Sequence, residues 1–187
     1  QPVGGELAGR KVKQVHCNSG QINPIKGPGN DGLHTTVVTE RGELYTFGTG
    51  HKGQLGNLWK KWSVKLGGKE DELTPYRVGE PCRDMKPLGD GKIPESKYLY
   101  GEPMTKAVAG TCHSAVLSAG GRAYCFGCGD DGRLGTRGYL AGAPGSGSTQ
   151  VNKYFVSQPT LVEELWECGV HIKDLATSQR HMAILAL

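Results

Sequence analysis

Several groups of residues have the types and spacings that chemistry needs. Cys125 and Cys128 stand as C-x-x-C, the spacing of a zinc half-site or a redox dithiol. Gly48-Thr49-Gly50-His51-Lys52-Gly53 and Gly127-Cys128-Gly129-Asp130-Asp131-Gly132 both satisfy G-x-G-x-x-G, the form of a dinucleotide-binding loop. His34, His113 and His181 each head a short strand-like run, and His113-Ser114 sets a base beside a hydroxyl. Asp130-Asp131 offers a carboxylate pair of the kind that opens a calcium loop.

Each of these has a plainer account. No second cysteine pair follows at zinc-finger spacing, and the repeat places Thr46 and Thr49 where Cys125 and Cys128 stand. Neither glycine run opens a helix, because Gln54-Leu55-Gly56 and Arg133-Leu134-Gly135 continue the turn. Successive residues of a strand point to opposite faces, so His113 and Ser114 cannot act on one another. A histidine that recurs in each repeat suits a blade-to-blade hydrogen bond, whereas a catalytic base is needed once. The residues after Asp130 are not acidic at calcium-loop spacing. Lys26-Gly27-Pro28-Gly29 lacks the Gly-Lys-Ser/Thr of a phosphate loop. The reading is therefore no catalytic residue, no metal ligand and no cofactor.

What positions these residues is an internal repeat. HTTVVTERGELYTFGTGHKGQLG, from His34 to Gly56, returns 79 positions later as HSAVLSAGGRAYCFGCGDDGRLG, from His113 to Gly135, with 10 of 23 positions identical. A third copy begins at His181 as HMAILAL. Alternation in Thr36-Val37-Val38-Thr39 and Leu44-Tyr45-Thr46-Phe47 predicts a hairpin that turns at Glu40-Arg41-Gly42. Thr74-Pro75-Tyr76-Arg77-Val78 and Gln158-Pro159-Thr160-Leu161-Val162 read as further strands, with Pro at a start or edge. Lys11 to Cys17, Lys106 to Gly110 and Lys173 to Ala176 read as first strands. Four short strands per repeat make the blade of a β-propeller, so the fold class is all-β, in four-stranded antiparallel sheets.

The order His-Thr/Ser, a Gly turn, Tyr-x-Phe-Gly-x-Gly-x-x-Gly-Gln/Arg-Leu-Gly and Pro-x-x-Val resembles the regulator of chromosome condensation repeat. Kelch repeats are the nearest rival, since Gly120-Gly121 imitates their doublet, but Arg41-Gly42 breaks it in the first copy. Arg133 stands where the family usually has Gln, as Gln54 does. The resemblance implies a seven-bladed propeller, of which residues 1–187 would supply about three blades with long insertions at 18–33, 57–105 and 136–157. The remaining blades are expected in further sequence, another chain or a second copy.

Composition fits a turn-rich β protein: Gly accounts for 30 of 187 residues, and apolar residues for 36%. The net charge of +4 permits an acidic partner without demanding one. No apolar run approaches the ~18 residues of a membrane span. Six cysteines without framework spacing, and no Asn-x-Ser/Thr site, point to an intracellular protein, and the resemblance implies nucleus, cytoplasm or mitochondrion without choosing among them.

Within the insertion at 57–105, Leu58, Trp62 and Leu66 share one helical face. Trp59, Lys60, Lys61, Trp62 and Lys65 are the candidate partner-binding residues. The alternative is that both tryptophans pack on the propeller rim and the lysines are solvated. Tyr98 and Tyr100 are further anchors, and residues 141–148 have linker composition. The expected function is a non-catalytic protein-interaction scaffold in a larger assembly. The family's founding member is an exchange factor for the small GTPase Ran, so the resemblance also implies guanine-nucleotide exchange as an alternative. Nucleic-acid or chromatin binding through Lys60, Lys61 and Lys65 is a third reading.

Overall fold

In the computed structural model, residues 4–18, 33–57, 71–79, 102–136 and 155–187 are described. They form two four-stranded antiparallel sheets and one two-stranded sheet. The first blade is β1 (Val12–Cys17), β2 (His34–Thr39), β3 (Leu44–Gly48) and β4 (Glu72–Arg77), paired in that order. The second is β5 (Met104–Ala109), β6 (His113–Ser118), β7 (Ala123–Cys128) and β8 (Phe155–Leu161). The third sheet pairs β9 (Ile172–Thr177) with β10 (Met182–Ala186). These sheets are propeller blades, as the repeat predicts.

The hairpins fall where the glycines allow. In β2–β3, Val37 stands opposite Tyr45 and Val38 opposite Leu44, and Gly42 takes φ 78° at the turn. Gly48 and Gly127 take φ 107° and 106°, a region that side chains other than glycine avoid. A Cβ on Gly48 would lie 2.4 Å from the Leu33 carbonyl oxygen, and one on Gly127 2.5 Å from that of Cys112. Both glycines sit beside a register shift that bends the second strand of the hairpin.

The blades stack face to face. β2 packs on β5, and β6 packs on β9. A sheet flanked on both faces has no solvent side, so all residues of β6 and β7 are buried. The core between the blades holds Val38, Leu44, Val116, Tyr124, Phe126, Leu134 and Leu175.

The outer strands differ from the sequence reading in their limits. β4 and the first residues of β5 lie inside the interval 57–105, and β8 begins at Phe155, inside 136–157. Pro75 and Pro159 lie within β4 and β8, where an outermost strand needs hydrogen bonds on one side only. A short helix, α1 (Glu163–Glu167), follows β8 and has no counterpart in the sequence reading. The predicted helix over residues 58–66, and residues 98, 100 and 141–148, lie outside the described residues.

Candidate interaction surface

The residues with chemical potential are first of all joints between blades. His34 heads β2, and its Nε2 lies 2.8 Å from Oγ of Ser114 in the next blade. Ser114 Oγ donates in turn to the Gln54 carbonyl at 2.8 Å, so the hydroxyl accepts from the His34 ring. His113 heads β6, and its Nε2 lies 2.7 Å from Oγ1 of Thr177 on β9. His34, His113 and Ser114 are buried. Burial makes such bonds costly to leave unmade, which explains why the histidine recurs.

The first strands are joined in the same way. On β1, Gln14 Oε1 accepts from the Ala107 amide at 2.9 Å, and His16 Nδ1 accepts from the Ala109 amide at 3.1 Å. Accepting there requires an unprotonated nitrogen. Burial, then the positive charge of Lys106, lowers the His16 pKa below its ordinary 6.5, in keeping with that role. On β5, Lys106 Nζ meets Asp174 Oδ1 at 2.5 Å across to β9. Gln14, Lys106 and Asp174 hold the same position in successive first strands.

A second ion pair is conserved in place but reversed in sign. Arg10 Nη1 donates to Glu43 Oε1 at 2.7 Å in the first blade. In the second, Arg122 Nη1 donates to Glu102 Oε1 at 3.2 Å, with the acid now ahead of the first strand and the base beyond the turn. Glu102 also accepts from the Tyr124 hydroxyl. Burial, followed by that bond, raises the Tyr124 pKa well above its usual value.

The first glycine turn is a seal between blades. A Cβ on Gly53 would lie 2.8 Å from Ser157 Oγ and 3.0 Å from the Val156 carbonyl, and one on Gly56 would lie 3.1 Å from the Phe126 ring. Gln54 Oε1 accepts from the Lys52 amide at 2.8 Å and so closes the first turn. Arg133, at the equivalent place, closes the second by donating from Nε to the Asp130 carbonyl at 2.7 Å. In the first copy the dinucleotide-loop pattern is thus a packing element, whereas a Cβ on Gly132 in the second would meet nothing within 4 Å.

Cys125 and Cys128 do not act as a pair. Cys125 stands opposite Ala115 and Thr160, and burial pushes its thiol up to about 12. Cys128 instead faces Cys112 across the hairpin. No cluster of three His, Cys, Asp or Glu side chains with metal-site geometry occurs among the described residues.

The surface open to partners is partly apolar. Val12, Val15, Leu33, Leu73, Leu185 and Leu187 are exposed. Trp166 of α1 is 45% exposed, and the Arg122 guanidinium lies 4.2 Å above its ring. Trp59, Lys60, Lys61, Trp62 and Lys65 lie outside the described residues. Ser114 and Thr177, which complete the histidine joints, are missed by sequence reasoning. The one available signal is that a small hydroxyl follows His113 and another closes the run before His181. Among the described residues no helix is long and apolar enough to cross a membrane.

No protein-family model matches the chain. It is 34% identical to the human probable E3 ubiquitin-protein ligase HERC3 over 104 residues, which is 55% of this chain and 7% of that protein. It is 25% identical over 131 residues to the human regulator of chromosome condensation, covering 56% of this chain and 31% of that one. The solved structure of yeast RCC1 (Prp20) bound to Kap60 matches 95% of this chain with a TM-score of 0.57 and 20% identity. The chain is similar to proteins of the regulator of chromosome condensation repeat type and shares their propeller fold.

The chain spans 30% of that Prp20 chain and 7% of HERC3. A second structure of Prp20p, from Saccharomyces cerevisiae and reported with its binding to Gsp1p and histones, matches with a TM-score of 0.57 at 12% identity, over 95% of this chain and 31% of that one. At such identity the likeness is one of fold. The regulator of chromosome condensation repeat accounts for the His-headed hairpins and glycine turns; it assigns no partner to the loops between them.

Proposed function

We propose that this regulator of chromosome condensation repeat chain is a non-catalytic, intracellular protein-interaction scaffold within a larger assembly. The observation that carries the reading is the employment of its reactive side chains. His34 and His113 are tied to Ser114 and Thr177 in the neighbouring blade, and the first G-x-G-x-x-G turn is packed against the next sheet. Contacts to a partner then fall to exposed apolar residues such as Val15, Leu185 and Leu187, and to Trp59, Lys60, Lys61, Trp62 and Lys65.

The test is the mass of the protein in its native assembly, set against the 20.0 kDa of this chain. A complex with other subunits that Trp59→Ala with Trp62→Ala dissolves, while the fold persists, supports the scaffold. Faster nucleotide release from a small GTPase would sink it.

Guanine-nucleotide exchange on a small GTPase is the second reading, favoured by the likeness to Prp20p, which is reported with Gsp1p. An exchange factor binds the nucleotide-free GTPase most tightly; a scaffold is indifferent to the nucleotide. Binding to histones is also reported of Prp20p, and chromatin binding through Lys60, Lys61 and Lys65 would weaken steeply as salt rises.

A further inference from the structure

Cys112 and Cys128 face one another one step beyond the paired His113 and Gly127, at the open end of the β6–β7 hairpin. The Cys128 amide donates to the Cys112 carbonyl at 2.7 Å. Residues so opposed have Cα atoms about 4.5–5.5 Å apart, inside the range a disulfide spans. Arg133, from the glycine turn that follows β7, points Nη1 at Cys112 Sγ from 3.2 Å. A guanidinium at that distance suits a thiolate better than a thiol.

The fold does not require sulfur here. The equivalent pair in the first blade is Leu33 and Thr49, joined by the same main-chain bond at 2.9 Å. Gln54 stands where Arg133 does. Of the two four-stranded blades, the second combines two opposed thiols with a cation and the first does not.

We propose that Cys112 and Cys128 are a peroxide-reactive dithiol site, in which Cys112 is the attacking thiolate and Cys128 the resolving thiol. The Cys112 sulfur attacks one oxygen of hydrogen peroxide, the O–O bond breaks, and sulfenic acid and hydroxide result. The Cys128 sulfur then attacks the sulfenic sulfur, the S–S bond forms and water leaves. Two thiols lose two electrons and two protons, and one peroxide becomes two waters. The thiol of Cys128, which hydrogen-bonds the Cys112 sulfur, lowers the Cys112 pKa to about 5 against the opposing effect of burial. The His113 ring and the charges of Arg133 and Lys52 add to it. The same bond raises the Cys128 pKa, which keeps it protonated until the first step is over.

Both thiols are buried, whereas Cys17 and Cys168 are exposed, so accessibility alone predicts the opposite order of reaction. At pH 5.5 an ordinary thiol is ionised to about 0.1%, and a formed thiolate outpaces it roughly twentyfold even after its lower intrinsic nucleophilicity is counted. The full chain is treated with hydrogen peroxide at pH 5.5, and non-reducing peptide mapping follows each cysteine. We expect a Cys112–Cys128 disulfide before Cys17 or Cys168 reacts. In Cys128→Ser, we expect a sulfenic acid at Cys112 that dimedone traps. In Arg133→Gln, with unchanged circular dichroism, the linkage should form at least about fivefold more slowly. A pair that stays reduced while Cys17 and Cys168 oxidise, or that links only in denaturant, overturns the proposal. So does a Cys128 that reacts as fast in Cys112→Ser.

Discussion

The imidazole of His113 fills the space that a side chain at residue 110 would need. A Cβ on Gly110 would lie 2.2 Å from Cε1 of that ring and 2.6 Å from each ring nitrogen. The glycine is required by the joint to the third sheet and not by its backbone angle, since Gly110 is absent from the residues with positive φ. Gly110→Ala should displace the ring, break the bond to Thr177 and cost about 1–3 kcal/mol, as overpacking does. The midpoint of urea unfolding measures it; an unchanged midpoint would refute this role.

Tyr45 and Tyr124 hold equivalent places in the two hairpins and should respond oppositely to loss of the hydroxyl. Tyr124 donates to Glu102, whereas the buried Tyr45 hydroxyl has no partner among the described residues. Tyr124→Phe should destabilise by about 1–2 kcal/mol and strand an acceptor on Glu102. Tyr45→Phe should be neutral or stabilising, because it removes an unsatisfied polar atom. Paired thermal melts decide, and equal losses would contradict the assignment.

His16 should make the fold sensitive to mild acid. Its pKa in the folded chain lies below the ordinary 6.5, so the unfolded chain binds the proton more tightly. Its contribution is therefore whole above pH 6.5 and shrinks as the pH falls from there through the lowered folded value. His16→Asn, which can keep an acceptor for the Ala109 amide, should flatten the stability profile between pH 7 and pH 5. A profile with an unaltered slope would show that other groups carry it.

The bond between His34 and Ser114 should appear as coupling and not merely as two separate losses. Each alanine variant is expected to cost about 1–3 kcal/mol, because a hydrogen bond between buried groups is lost. The double variant should cost less than their sum by about 0.5–3 kcal/mol. Strict additivity in a double-mutant cycle would mean that the two side chains act independently.

The hairpins were legible because their glycines answer to geometry that nothing else satisfies: Gly48 and Gly127 each lie against a carbonyl oxygen, and Gly42 and Gly121 turn the chain at positive φ. The histidines were legible as joints because they recur, but their acceptors were not. Ser114 and Thr177 sit at different points of the repeat, so alignment does not bring them together. The reversed pairs Arg10–Glu43 and Glu102–Arg122 were hidden for the opposite reason: the positions match and the signs do not. The helix α1 gives little signal, being five residues long with no side-chain cap on Val162. Cys112 and Cys128 meet through the hairpin register, whereas the eye is drawn to Cys125, three positions from Cys128.

The turn that carries Gly53 rests on Val156 and Ser157, about a hundred positions further along the chain. During synthesis at roughly 5–20 residues per second, that seat emerges roughly 5–20 s after the turn itself. Over that interval the first hairpin can pair its strands but cannot dock its tip. A chaperone that reaches the nascent chain meets a formed sheet with an unseated turn, and the second blade has to arrive before the first is finished.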